Sequence, residues 1–252
     1  MNEETKIPTE IIKLPSKGIL YPKESLLSKG EIEMRMMTAH HEDILTNTNY
    51  MRDGVTIDKL LQAMIVTPIN YDDLLIGDKN AILIAARILG YGKDYEFAYT
   101  NPQSGEIIKA VIDLTIIEDK ELDESLIKEG ENSFEFTLPK SGNKVNFKLL
   151  SHGDEKKIDA EIKGLKKINP QGSFDSTVRL MYMITAINGK SDTGSIREFI
   201  NKMLLAADAR ALRNYYSSIQ PDINLKYYPE NGTAEGINIP IGLTFFWPDY
   251  GA

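Results

Sequence analysis

An α+β fold is predicted by three observations on the sequence. Short runs in which apolar residues alternate, such as 31–37 and 144–150, read as strands. Longer runs with apolar residues at i, i+3 and i+4, such as 55–66, read as helices. Segments of both kinds recur in the same order in the two halves, so the chain reads as two diverged repeats. Each repeat is a strand, then helices, then a zinc-knuckle-like β-hairpin without metal.

The recurrence begins with Leu14-Pro15-Ser16-Lys17-Gly18, answered by Leu138-Pro139-Lys140-Ser141-Gly142. In the strands that follow, Ile32 matches Val145, Met34 matches Phe147 and Arg35 matches Lys148. Thr38 and Ser151 then stand as N-caps, with Glu42 and Glu155 in the turn behind them, where a helix N-terminus favours negative charge. The first long helix is expected over 55–66, with Leu60, Leu61, Met64 and Ile65 on one face. Its counterpart is 174–187, with Val178, Met181, Tyr182 and Thr185.

A second helix closes each helical block. Asp78 is expected to cap a run carrying Ile82, Ala85, Ala86 and Leu89, stopped by Gly90 and Gly92. Ser195 and Glu198 have capping-box spacing, and Ile196, Phe199, Ile200, Met203 and Leu204 fall on one helical stripe. Hairpins follow, with strands at 95–100 and 106–115 around Asn101-Pro102-Gln103-Ser104-Gly105, and at 223–228 and 235–246 around a second Pro- and Gly-containing turn. The resulting units are 1–117, an N-terminal repeat with an extended arm, and 133–252, the C-terminal repeat. Residues 118–132 join them as an acidic stretch, either a linker or a short solvated helix.

Composition narrows the function. A hydrophobic fraction of 42% over 252 residues supports a buried core. A formal charge of −8 argues against phosphate backbones and acidic membranes as main partners, because both require clustered positive charge. With no cysteine, disulfides and thiolate metal sites are impossible, and a reducing compartment, the cytoplasm, is expected. The start Met1-Asn2-Glu3-Glu4 lacks the basic and apolar layout of a signal peptide.

Candidate chemistry is sparse. His40, His41 and His152 lack the i, i+4 spacing of a helical metal site and read as parts of solvated helix starts. Asp72-Asp73 reads as a solvated acidic pair. In Gly90-Tyr91-Gly92-Lys93 the glycines follow a helix, whereas phosphate binding needs them before one. Lys156, Lys157, Lys163, Lys166 and Lys167 read as the wet face of an amphipathic helix. No catalytic, cofactor or metal residue is expected.

Contact residues are easier to nominate. Tyr99 and Tyr227 stand beside the two hairpin turns, and Phe245-Phe246-Trp247 close the chain. Three consecutive aromatics on a strand cannot share a face. Phe245 and Trp247 are therefore expected on one side, packed on Phe199, Met203 and Leu204, with Phe246 on the other.

The same residues carry a family resemblance. Leu14-Pro15-Ser16-Lys17-Gly18 with Tyr21, then Gly30-Glu31-Ile32-Glu33-Met34 and Thr38, is similar to the T4-type bacteriophage baseplate hub and hub-assembly family. So are Leu74-Leu75 with Asp78, Ile88-Leu89-Gly90-Tyr91-Gly92 leading to Tyr95, and the ending Phe245-Phe246-Trp247-Pro248. The resemblance implies a structural or assembly protein of the baseplate hub with no catalytic residues. Its partners would be other phage baseplate hub proteins, met in the host cytoplasm during assembly and in the virion tail. Relatives often carry cysteine pairs at the knuckles, and this chain has none. The competing classes are a cytoplasmic small-ligand binding module and an unrecognised enzyme. They would show a preformed apolar pocket or a cleft with convergent titratable groups.

Overall fold

The computed structural model describes residues 7–101, 104–229 and 236–246. The first six of the thirteen residues expected as an N-terminal arm, the turn residues 102–103 and 230–235, and Trp247 and Pro248 lie outside them. The fold is mixed α+β, with small antiparallel sheets set around helices.

In the first half β1 (Thr9–Lys13) pairs antiparallel with β2 (Glu31–Arg35), placing Ile12 opposite Ile32. Ile32 and Met34 point into the core, as alternation requires. Three helices follow: α1 (Ala39–Leu45), α2 (Thr48–Asp53) and α3 (Thr56–Met64). Helix α3 buries Leu60, Leu61 and Met64. It ends where Ile65 turns extended and bridges Met34, so β2 gains a partner on its other edge. Helix α4 (Ile76–Tyr91) is buried nearly all round, through Ile82, Leu83, Ile84, Ala86 and Leu89, and forms the centre of this half. Gly92 stops it at φ 84°, a conformation that favours glycine. The half closes with the hairpin β3 (Asp94–Thr100) and β4 (Ile107–Asp113).

The second half opens with β5 (Phe134–Thr137) against β6 (Lys144–Phe147), placing Phe136 opposite Val145. Then come α5 (His152–Ile168), α6 (Asp175–Met183) and β7 (Ile184–Ile187), which pairs with β6 so that Phe147 faces Ile184. Helices α7 (Thr193–Lys202) and α8 (Ala206–Ile219) lead to a short ladder of β8 (Lys226–Tyr227) with β9 (Ile237–Asn238). The last of the described residues form a helical turn, α9 (Leu243–Phe246).

Several expectations are corrected. The run 174–187 is not one helix: its last four residues form β7, because the edge of β6 takes them as a strand. Asp78 does not cap α4. Leu75 holds the N-cap position, and Asp78 is buried one turn in, accepting from Ser16 N–H (2.9 Å), Ser16 Oγ (2.7 Å) and Tyr21 Oη (2.5 Å). The cap of α7 is Asp192, which accepts from Ser195 N–H, so the Ser195–Glu198 box is not formed. Met203 falls beyond α7 and is 53% exposed, so only Ile196, Phe199 and Ile200 of the expected stripe are buried. The expected strand over 235–246 reduces to β9, and Phe245 and Phe246 lie on α9.

The halves share one core and are tied through the main chain. Leu75 bridges Ser151, and His152 N–H donates to Leu74 O at 2.7 Å. The acidic stretch is tied as well. Asn224 N–H donates to Glu118 O and Lys120 N–H to Asp222 O, both at 2.8 Å, and further on Gly130 N–H donates to Ile19 O at 2.8 Å. No helix among the described residues is long and apolar enough to cross a membrane.

Candidate contact surface

Alternation along β3 places Tyr95, Phe97 and Tyr99 on one face. Tyr227, from β8, packs on that face, with its ring centroid 5.4 Å from Phe97 and 6.0 Å from Tyr99. The structure therefore brings together two of the nominated contact residues, Tyr99 and Tyr227, from sequence-distant hairpins. Both are half-buried.

The chain's end goes elsewhere than expected. Phe245 packs edge-on against Tyr95 at 4.7 Å, and Phe246 lies 5.4 Å from Phe245. Both rings are fully buried, against α4 and β3 of the first half rather than on Phe199, Met203 and Leu204. Trp247 lies outside the described residues. The segment is held by Arg87, 3% exposed, whose guanidinium donates to three main-chain carbonyls: Phe245 (2.8 Å), Gly92 (2.9 Å) and Asp94 (3.2 Å). The cation also lies 5.4 Å from the Tyr91 ring centroid and 5.9 Å from that of Tyr95. Burial lowers the Arg87 pKa, and the two tyrosines oppose that shift.

Around these hairpins the surface is apolar. Val111 (55% exposed), Ile116 (67%) and Tyr228 (54%) border a groove of about 340 Å³ beside β4, and Ile107 (77%) stands on the same strand face as Val111. The sequence reading missed these residues. For Ile107 and Val111 a signal is present: apart from Lys109, 107–112 is apolar at both parities, whereas a strand with one buried face needs apolar residues at one parity only.

The polar residues form a closed network where the halves meet. Lys79 Nζ lies 2.5 Å from Asp58 Oδ1 and 3.1 Å from His152 Nδ1. An ammonium only donates, so Nδ1 is the acceptor and the imidazole proton is on Nε2. Nε2 points toward Asp58 Oδ2 at 3.6 Å and Asp72 Oδ1 at 4.0 Å. Tyr71 Oη donates to Asp58 at 3.0 Å, and its ring stands edge-on to His152 at 4.7 Å. Lys156 Nζ reaches Asp72 at 2.9 Å. Burial, then Lys79, lowers the His152 pKa, and burial with Asp58 raises that of Tyr71. The hydrogen bond from Lys156 lowers the pKa of Asp72. His152 and His41 are both buried, which corrects their reading as solvated helix starts. His41 Nδ1 accepts from Thr38 N–H at 3.0 Å. The remaining α5 lysines, Lys157, Lys163, Lys166 and Lys167, are exposed.

A second hollow of similar size is lined by Ile76, Leu150, Leu180, Met183 and Arg213. Arg179, which also lines it, is bound by Glu155 and Asp175. No group of three or more His, Asp or Glu that could hold a metal ion is found among the described residues.

Comparison with curated proteins and with solved structures gives no match. A family model described as T4 bacteriophage base plate protein matches residues 10–203, from β1 to just past α7. That span holds the β1–β2 and β5–β6–β7 sheets, the helices between them and the β3–β4 hairpin, and on that match the chain belongs to the T4 bacteriophage base plate protein family.

Proposed function

We propose that this chain is a structural or assembly component of the baseplate hub that works by contact with other hub proteins and not by catalysis. The observation that carries this reading is the apolar surface at Val111, Ile116 and Tyr228, next to the Tyr99–Tyr227 pair. Such exposed apolar surface beside half-buried tyrosines fits a protein interface. The titratable groups point the same way. Asp58, Lys79, Asp72 and Lys156 neutralise one another around His152, which is 4% exposed and so gives a substrate no approach. Assembly in the host cytoplasm, followed by residence in the tail, is part of this reading.

We also infer that the halves are diverged copies. Two features support it. The pairings Ile12–Ile32 and Phe136–Val145 share one register, continued by Met34–Ile65 and Phe147–Ile184. Asp78 accepts from Ser16 N–H, as Asp208 accepts from Lys140 N–H at 2.7 Å, each near the start of a helix that follows a leucine N-cap. On this reading α8, not α7, is the counterpart of α4.

The test is co-expression with the hub proteins of the same phage, followed by affinity capture. A complex weakened at least tenfold by Ile116→Asp with Tyr228→Asp supports the reading. A chain that stays alone beside the full hub set sinks it.

A further inference from the structure

The outer edge of β4 has no strand partner among the described residues. The ladder bonds show which groups face that edge. Leu114 N–H donates to Lys93 O at one end of the hairpin and Asn101 N–H to Glu106 O at the other, both at 2.8 Å. Antiparallel pairs alternate between bonded and non-bonded. The bonded pairs are therefore Tyr95–Ile112, Phe97–Ala110 and Tyr99–Ile108. The N–H and C=O groups of Ile107, Lys109, Val111 and Asp113 consequently point away from β3. Ile107, Lys109 and Val111 also carry exposed side chains. An edge with unmet backbone groups and exposed aliphatics is a template for a further strand.

We propose that the strand it takes is β4 of a second copy of this chain, paired antiparallel with Val111 on the twofold axis. Charge selects this register. With the axis at Lys109, two lysines would stand opposite each other, which is unfavourable. With the axis at Val111, Lys109 faces Asp113 of the second copy, and the pair occurs twice. Lys109 has no ion pair within its own chain among the described residues. Asp113 already binds Lys93 through Oδ2 at 2.6 Å and accepts from Thr115 N–H (2.9 Å) and Thr115 Oγ (2.5 Å) through Oδ1, and a carboxylate with about four acceptor positions has about one left for a second cation. Shape agrees with charge. In this register Ile107 of each chain reaches past Asp113 of the other to the 3-10 turn Leu114–Ile116 that follows β4, beside the groove bordered by Val111 and Tyr228. The contact is isologous, and it joins two two-stranded hairpins, each marginal alone, into one four-stranded sheet.

The chain's lack of cysteine makes the register directly testable. Val111→Cys should form a disulfide-linked dimer under mild oxidation, because residues on the axis have Cα atoms about 5.5 Å apart. Ile107→Cys should not, because its two copies would lie about eight residues apart along the sheet, about 27 Å. By sedimentation velocity the wild type should show twice the 28.3 kDa of one chain. Val111→Pro removes only an outward N–H and should weaken the dimer at least tenfold, as should Lys109→Glu. Mixing Lys109→Glu with Asp113→Lys should restore association, since reversed charges then meet across the axis. A monomer at about 100 μM, a dimer untouched by Val111→Pro, or equal coupling of the two cysteine variants would each overturn the proposal. A monomer whose β4 edge instead binds another baseplate protein would overturn it too, while leaving the hub reading intact.

Discussion

Arg87 Nε donates to the main-chain oxygen of Phe245, 158 residues further along the chain and 2.8 Å away in space. One buried guanidinium thus joins the central helix of the first half to the last helical turn of the second. It also satisfies Gly92 and Asp94, the carbonyls freed where α4 gives way to β3.

Arg87→Met should therefore be costly although it keeps an apolar stem. It leaves the buried carbonyl of Phe245 and the part-buried carbonyls of Gly92 and Asp94 without this donor, and a loss of about 3 kcal/mol is expected. Thermal denaturation should show the midpoint falling by roughly 6–12 °C. An unchanged midpoint would mean that water replaces the guanidinium.

Phe245→Ala and Phe246→Ala should behave alike. Both rings are fully buried, so each truncation should cost about 3–5 kcal/mol by urea unfolding. Strand alternation instead predicts one ring in the core and one free for a partner. If either variant keeps wild-type stability, that ring is not part of the core.

Two glycine substitutions should have opposite signs. A Cβ on Gly77, in the first turn of α4, would stand 1.8 Å from Pro221 O, a backbone atom that cannot move aside cheaply. Gly77→Ala should lose about 3 kcal/mol or more despite the better helix propensity of alanine. Gly164, inside α5, has nothing within 4 Å of a Cβ. Gly164→Ala should gain about 1 kcal/mol. Equal effects at the two sites would contradict the packing of α4 against 221–222.

Acid should weaken the fold through His152. The groups facing it are Lys79 from α4, Asp58 from α3, and Tyr71 and Asp72 from the turn before α4, with Lys156 from its own helix. Burial and Lys79 hold its pKa below 6.5, so the folded state resists protonation more than the unfolded chain does. Its contribution is complete above pH 6.5 and is lost as pH falls through the folded pKa. The urea midpoint should drop between about pH 7 and pH 5, and His152→Gln should flatten part of that drop. His41 is shifted in the same direction by burial and supplies a further part. A slope unchanged in His152→Gln would assign the effect elsewhere.

Local signals in the amino-acid sequence specify the α+β class, the caps at Thr38 and Ser151, the β3–β4 hairpin, the stop at Gly92 and the buried faces of α3 and α7. Each depends on side-chain period or on hydrogen bonds spanning a few residues, and neither needs a distant partner. The remaining features depend on contacts between distant parts of the chain. Ile184–Ile187 has a helical pattern but becomes a strand because β6 offers an open edge. Asp78 looks like a cap but is drawn inward by Ser16 and Tyr21, 62 and 57 residues away. Phe245 and Phe246 settle on α4 and β3 rather than on the nearby stripe of α7, whose end carries the exposed Met203. The surface at Val111 and Tyr228 arises only when two hairpins meet. In all of these, local propensity leaves alternatives within about 1 kcal/mol per residue, and burial against distant partners, about 1.5–3 kcal/mol per large side chain, makes the choice.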